Sequence, residues 1–325
     1  MSAPILSVEN LRIVFDTRHG ELTAIDGVSL DIAPGEILGV VGESGAGKSL
    51  TGTAIIGLLD PPGRIAGGAI RLEGERIDNL PPEAMRKVRG RRIGAIFQDP
   101  LTSLHPMLTI GDQLVETIMT HLPLDRRAAR ARAVELLGEV GIPSPDMRID
   151  QHPHQFSGGM RQRVVIALAL AGEPKLIIAD EPTTALDVSI QAQITTLLKR
   201  LCLERGAAVM LVTHDMGVIA ETADRVAVMY AGRIIETGPV EAVTRRALHP
   251  YARGLMASIP SLRERREMLR QIDGAMPRLN AIPPGCAFNP RCGYATEQCR
   301  AERPALGNEP HAAACWHPLT GEARG

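Results

Sequence analysis

The sequence predicts an α/β fold built on a parallel sheet and followed by a Cys-containing C-terminal extension. Three observations carry that expectation. Short β-branched runs at Leu176–Ala179, Val209–Thr213 and Val226–Met229 are separated by helical segments, Val188–Glu204 and Met216–Thr222, the order expected of parallel strands joined by crossover helices. A strand-like run, Glu36–Val41, ends in a Gly-rich loop that opens a helix over Lys48–Leu59. Beyond Tyr251 the chain turns to a charged helix, Leu262–Gln271, and then to a Pro-rich segment holding four of the five Cys.

The remaining elements follow in chain order. Ile5–Val8, Leu11–Phe15 and Ala24–Ile32 read as short strands broken by a turn at Thr17–Glu21. A basic and polar stretch then leads to a strand at Ile93–Phe97. From Gly111 to Gly141 the pattern is helical, amphipathic over Ala128–Val140, and Met160–Ala171 is a further helix. A boundary near 255–275 divides a domain over 1–255 from an extension over 256–325, and no internal repeat is evident.

Composition narrows the function classes. With 325 residues, 44% of them hydrophobic and 22% charged, the chain can bury a sizeable core. Only 2% is aromatic, too little for base-stacking nucleic-acid modules, and a net charge of −1 gives no electrostatic pull toward a polyanion or a membrane surface. No apolar run approaches the roughly 18 residues that span a bilayer, and Met1–Asn10 lacks the basic and apolar regions of a secretory signal. The expectation is a cytosolic protein that joins any membrane machine through a partner.

Gly42, Glu43, Ser44, Gly45, Ala46, Gly47, Lys48 and Ser49 spell G-E-S-G-A-G-K-S, the phosphate-binding P-loop pattern, between a strand and a helix. The glycines let backbone N–H groups wrap a phosphate at the positive end of the helix dipole. Lys48 reaches the β- and γ-phosphates and the Ser49 hydroxyl ligates Mg²⁺. A chance match arises in about one chain in a hundred of this length at average residue usage, and the strand–loop–helix context lowers that further. Downstream, Lys175–Glu181 (K-L-I-I-A-D-E) is an apolar strand ending in two acids. Asp180 can hold Mg²⁺ through water, and Glu181 is placed to polarise an attacking water. Solvated acids at an ordinary strand end would look the same in isolation.

These two motifs would equally suit a GTPase, a kinase or a helicase. The discriminating residues come next. Phe156–Met160 (F-S-G-G-M) with Arg161, Gln162 and Arg163 resembles the signature loop of the ATP-binding cassette (ABC) ATPase family, and Ser157, Gly158 and Gly159 form a second donor cradle at a helix N-terminus. Gln98 matches the Q-loop position, Ala185-Leu186-Asp187 the D-loop, and His214 the switch histidine at a strand end. The resemblance implies a P-loop NTPase core with a RecA-like parallel sheet, an antiparallel β-subdomain and an inserted helical subdomain over about 100–170. It further implies that Ser157-Gly158-Gly159 closes on ATP held by a partner subunit, that Asp187 crosses that interface, that Gln98 reaches Mg²⁺ or the water, and that His214 contacts the γ-phosphate and orients Glu181. Phe15 is the candidate adenine platform and could equally be core.

Gln98–Pro106, Gln151–Gly159, Asp180–Gln193 and the tail segments His249-Pro250-Tyr251 and Asn289-Pro290-Arg291-Cys292 resemble the dipeptide and oligopeptide permease branch, nearest the first of the dipeptide permease's two ATPases. That likeness implies a translocase subunit at the cytoplasmic face of the bacterial inner membrane. Its partners would be a second, non-identical ATPase, two transmembrane permease subunits and an extracytoplasmic peptide-binding protein. Nickel complexes or glutathione are alternative cargoes. A non-transport ABC factor is disfavoured, because those usually carry two cassettes or a long coiled coil.

Cys286, Cys292, Cys299 and Cys315 are spaced C-x5-C-x6-C-x15-C, without the C-x₂₋₄-C pair usual for zinc. Four thiolates with less regular spacing can hold a [4Fe–4S] cluster, as some members of the branch do. The competing readings are zinc, or free thiols in a loop with Arg291, Arg300 and Arg303 as a solvated face.

Overall fold

The computed structural model describes residues 3–18, 20–183, 186–258 and 272–320. The predicted helix Leu262–Gln271 and the D-loop's Ala185 lie outside them. The chain opens with strands β1 (Leu6–Thr17), β2 (Gly20–Ile32) and β3 (Ile37–Val41), helix α1 (Lys48–Ile55) and strands β4 (Gly63–Leu72) and β5 (Glu75–Arg76). Helix α2 (Pro82–Val88) and β6 (Ile93–Ile96) lead to α3 (Pro100–Ser103), α4 (Ile110–His121), α5 (Arg126–Glu139), α6 (Pro145–Arg148) and α7 (Gly158–Leu170). Then β7 (Leu176–Asp180), α8 (Val188–Arg205), β8 (Ala208–Thr213), α9 (Met216–Thr222) and β9 (Arg225–Tyr230) alternate. Strand β10 (Arg233–Pro239), helices α10 (Val240–Arg245), α11 (Pro250–Ala257) and α12 (Glu297–Ala301) and strand β11 (Ala312–Ala313) follow among the described residues.

Two compact units interleave along the sequence. One comprises Met1–Ile5, Ile32–Glu36 and Asn79–Met210. In it β6 and β7 pair in parallel, Ile93 opposite Leu176 through Ile96 opposite Ala179. Helix α7 lies so close over β6 that a Cβ on Gly94 would run into the Ala169 carbonyl oxygen. The segment predicted as one helical pattern over 111–141 is two helices. Pro123 denies the chain an N–H at the break, and Asp125 caps α5 by accepting from the Ala128 N–H (2.8 Å). Thr109 caps α4 in the same way through Asp112 N–H (3.0 Å). Leu114 and Ile118 of α4 and Ala129, Ala133, Leu136 and Leu137 of α5 are fully or nearly fully buried. Cys202 is buried on α8, and that burial pushes its thiol up to about 12.

The other unit comprises Leu6–Asp31, Ile37–Asp78 and Leu211–Gly325. It holds a four-stranded sheet ordered β2-β1-β4-β5, antiparallel between β1 and β4 and between β4 and β5. The two expected strands Ile5–Val8 and Leu11–Phe15 are one strand carrying a bulge. Asn10 adopts φ 48°, and Gly68 opposite it admits the chain where a Cβ would strike the Glu9 and Asn10 carbonyl oxygens. In the same unit β3 runs parallel to β9, and β9 antiparallel to β10. Every residue of β3 is buried, as expected of a strand covered on both faces. Ile37, Leu38, Val40 and Val41 each contribute about 1.5–3 kcal/mol by that burial. The Ile37 N–H donates to the Asp224 carboxylate (2.8 Å) and the Asp224 N–H to the Ile37 carbonyl (2.9 Å), which sets the register of β3 and β9.

Near the C-terminus the chain returns to pair with β10. Glu236 and Thr237 of β10 face Ala313 and Ala312 of β11. The Glu236 carboxylate, fully buried, accepts from the Leu248 and His249 N–H groups (2.9 and 2.7 Å) and pairs with His311 Nε2 (2.8 Å). Among the described residues no helix is long and apolar enough to cross a membrane.

Candidate functional site

The phosphate loop begins where β3 ends. Gly42 has φ 153°, and a Cβ there would collide with the Met229 carbonyl oxygen of the neighbouring strand. Gly47, with φ 104°, is the N-cap of α1, and a Cβ on it would run into the Ile25 side chain. Glycine is required at both positions by conformation and by space. The Ala46 carbonyl accepts from the Gly232 N–H (2.9 Å) and so ties the loop to the β9–β10 turn. Lys48 is 5% exposed, and its ammonium donates to the Gly42 and Glu43 carbonyls at 2.8 and 3.1 Å. The cation is held across the loop's mouth, while Ser44, Gly45 and Ser49 are exposed there. The arrangement offers backbone donors, a helix N-terminus and one ammonium to an incoming anion.

Glu43 is held from outside the loop by residues that the motif reading missed. Its N–H donates to the Tyr251 hydroxyl (2.8 Å), and its carboxylate accepts from both Arg291 terminal nitrogens (2.8 and 3.0 Å). Arg291 is therefore not part of a solvated face; its side chain is 6% exposed. In the same unit Phe15 is half-buried on β1, its ring packed against Gly63. His214 sits exposed at the end of β8, one residue before Asp215, which caps α9 by accepting from the Gly217 N–H (2.8 Å).

The other unit brings Gln98 and Glu181 together, the Gln98 amide nitrogen donating to the Glu181 carboxylate at 2.9 Å. Asp180 closes β7 and is half-buried. Glu181 turns the chain with φ 46°, a left-handed conformation that a non-Gly residue adopts at a cost of about 1–3 kcal/mol and that recurs at functional sites. The Ser157 hydroxyl caps α7 by accepting from the Met160 N–H (3.3 Å), and Arg161 donates to the Pro153 carbonyl (2.8 Å). Ser157 and Gly158 are exposed. Gly159 lies where a Cβ would press on Ile190 of α8, and Gly158 packs toward Leu186, so the signature loop and the residues around Asp187 are in mutual contact. Asp187 itself is exposed at the start of α8.

Cys286, Cys292, Cys299 and Cys315 line one small cavity together with His249, Phe288, Trp316 and His317, and all four thiols are free. Burial raises Cys286 and Cys292, and pushes Cys315 up to about 11, with the neighbouring thiols adding to it. Among the described residues no three His, Cys, Asp or Glu side chains stand where they could hold a metal ion. The expected ligand set for a [4Fe–4S] cluster is thus gathered around one cavity and is not formed as a metal site.

Comparisons with known proteins place the chain in a family. Residues 25–184 match the family model described as ABC transporter, and residues 235–299 match the model described as oligopeptide/dipeptide transporter, C-terminal region. A Brucella abortus (strain 2308) protein named for peptide import and ATP binding is 49% identical over 326 aligned positions, covering 96% of each chain. A second from that organism, similarly named, is 47% identical over 305 residues, 94% of this chain and 92% of its own. An ATP-binding cassette solved as a dimer in a post-hydrolysis state with ADP and phosphate superposes with a TM-score of 0.65 at 29% identity, covering 72% of this chain and 98% of that one. The cbiO1 protein of Clostridium perfringens, part of an ABC transporter complex, gives 0.65 at 30% identity, covering 74% of this chain and 91% of that one. With both family models matched and relatives 47–49% identical over 94–96% of its length, the chain belongs to the ABC transporter family, among the ATP-binding subunits that carry the oligopeptide/dipeptide transporter C-terminal region.

Proposed function

We propose that this chain is one ATPase of a pair that drives the import of di- or oligopeptides through membrane permease subunits. The observation that carries the reading is the 49% identity, over 96% of both chains, to a protein named for peptide import. The proposed organisation is a nucleotide-binding domain over 1–255 with a helical subdomain over about 100–170, and an extension over 256–325. A second, non-identical ATPase and an extracytoplasmic binding protein complete the proposed assembly, with this chain peripheral at the cytoplasmic face of the membrane.

Each side chain has a role in that reading. The loop Gly42–Ser49 and the Lys48 ammonium hold the β- and γ-phosphates of ATP. Ser49, Gln98 and Asp180 are the residues that would hold Mg²⁺, which when bound offsets phosphate charge. Glu181 takes the proton of the attacking water, and the hydrogen bond from Gln98 supports its orientation. His214 is assigned to the γ-phosphate, Phe15 to the adenine face, and Asp187 to the subunit interface. A phosphate cradle at Ser157-Gly158-Gly159 has no use for a phosphate already held by Gly42–Ser49 of the same chain; supplying it to a partner's ATP gives it one. The dimeric state of a solved relative supports that arrangement.

Deleting the gene is expected to abolish uptake of a radiolabelled dipeptide. Wild-type chain should restore uptake, and the Glu181→Gln chain should not. Unimpaired peptide uptake in the deletion strain would overturn the cargo assignment. For the Cys cavity, the proposed occupant is a [4Fe–4S] cluster of structural role, which would tie together a segment poor in core residues. Anaerobically purified protein is then expected to be brown, with about four iron and four sulfide per chain; a colourless protein with one zinc would sink the assignment.

A further inference from the structure

Glu43 is the second residue of the phosphate loop, and all of its polar groups are engaged. Its carbonyl accepts from Lys48 (3.1 Å), its N–H donates to the Tyr251 hydroxyl (2.8 Å), and its carboxylate takes two parallel bonds from Arg291 (2.8 and 3.0 Å). Two of those three anchors lie more than 200 residues downstream of the loop. Arg291 is itself fixed on every side. Its Nε donates to the Asp273 carbonyl (2.7 Å) and one terminal nitrogen to the Ile272 carbonyl (3.1 Å). The guanidinium stands 5.9 and 5.8 Å from the ring centres of Tyr230 and Phe288. Tyr230, Tyr251 and Phe288 form a mutual edge-to-face cluster with centroids 4.7 to 5.4 Å apart, and Phe288 also lines the Cys cavity.

The pair is poorly explained as a device for stability. Burying an Arg–carboxylate pair costs desolvation that its own attraction roughly offsets, so such pairs are better at fixing geometry than at adding free energy. The geometry fixed here is that of the loop which must receive polyphosphate. An unpaired Glu43 carboxylate would also place a negative charge on that loop, and like charge within a few ångströms disfavours an anionic ligand. The two-point bond draws the carboxylate toward the extension and neutralises it. The Glu43 carbonyl, in turn, helps to hold the Lys48 ammonium in place.

We infer that Arg291, together with Tyr251, is a positioning element for the phosphate loop, through which the Cys-bearing extension sets the affinity of this site for the triphosphate of its nucleotide. The inference rests on the reading of Gly42–Ser49 as the ATP phosphate site. A wild-type chain that binds no MgATP would sink that underlying reading on its own.

The test uses the full chain, with MgATP turnover and direct binding of a fluorescent ATP analogue. Glu43→Gln and Arg291→Gln are each expected to raise the KM and the dissociation constant about tenfold, which is about 1.4 kcal/mol, with kcat held within about twofold. Arg291→Lys keeps the charge but cannot make the two-point bond, so it should recover only a minor part of the loss. The double variant should be no weaker than the worse single, because both remove one interaction. A purely structural role for Arg291 would lower the melting temperature and leave the KM of Glu43→Gln at the wild-type value; that outcome overturns the inference, as would two losses that simply add. If Arg291→Gln fails to fold, Glu43→Gln decides alone, since it changes no residue of the extension and its own melting temperature separates a loss of fold from a loss of affinity.

Discussion

Replacing Glu181 with Gln is expected to lower ATP turnover by about 10²–10⁴-fold, the range that a positioned general base contributes. The substitution changes one atom and keeps the shape. The amide can still accept from Gln98 Nε2, which reaches the carboxylate at 2.9 Å, so the local arrangement survives while the proton acceptor is lost. The left-handed backbone at residue 181 is also retained, because Gln pays no greater steric cost there than Glu. ATP should therefore bind and stay. Phosphate release measured at saturating MgATP should fall to near background, and size-exclusion chromatography with ATP should show an accumulated dimer. Turnover within a few-fold of wild type would remove Glu181 from the role proposed for it.

The second large effect is expected at Lys48. Its ammonium is 5% exposed and already lies across the loop, bonded to the Gly42 and Glu43 carbonyls. In the proposed complex it exchanges part of that bonding for the β- and γ-phosphates. Two charge-assisted hydrogen bonds at about 1.5 kcal/mol each amount to about 3 kcal/mol, or roughly 150-fold in affinity. Lys48→Ala should raise the dissociation constant for ATP by about that factor in equilibrium titration. The effect should be larger for ATP than for ADP, because ADP lacks the γ-phosphate. Equal losses for the two nucleotides would place the ammonium away from the γ-phosphate, and unchanged binding would refute the assignment. The two substitutions thus separate by readout, Glu181→Gln acting on turnover and Lys48→Ala on binding.

Local motifs were legible in the sequence because their chemistry is written in consecutive residues. Gly42–Ser49, Ser157-Gly158-Gly159 and Asp180-Glu181 each carry their own structural context, a strand end or a helix start. The parallel strands were legible for the same reason, since a strand buried on both faces is a continuous apolar run, as β3 and β8 are. Strand β4 escaped notice because only three of its ten positions, Ala69, Ile70 and Leu72, are buried, and three glycines dilute the rest. The bulge at Asn10 made one strand look like two. The Arg291–Glu43 pair escaped for a different reason. It joins positions 248 apart, and neither residue type in its own neighbourhood distinguishes a buried partner from a solvated charge. Arginine beside Cys292 in a Pro-rich loop reads as surface until the fold is known.

The interleaving of the chain also has a consequence for biosynthesis. Strand β3 is apolar along its whole length, and the Asp224 that receives its first N–H lies 187 residues later. At about 5–20 residues per second, a ribosome delivers that partner roughly ten to forty seconds after β3 has left the exit tunnel. For that interval the strand that will carry the phosphate loop has no β9 edge to pair with. An apolar edge left open for that long is exposed to off-pathway pairing, which ends only when the last third of the polypeptide emerges.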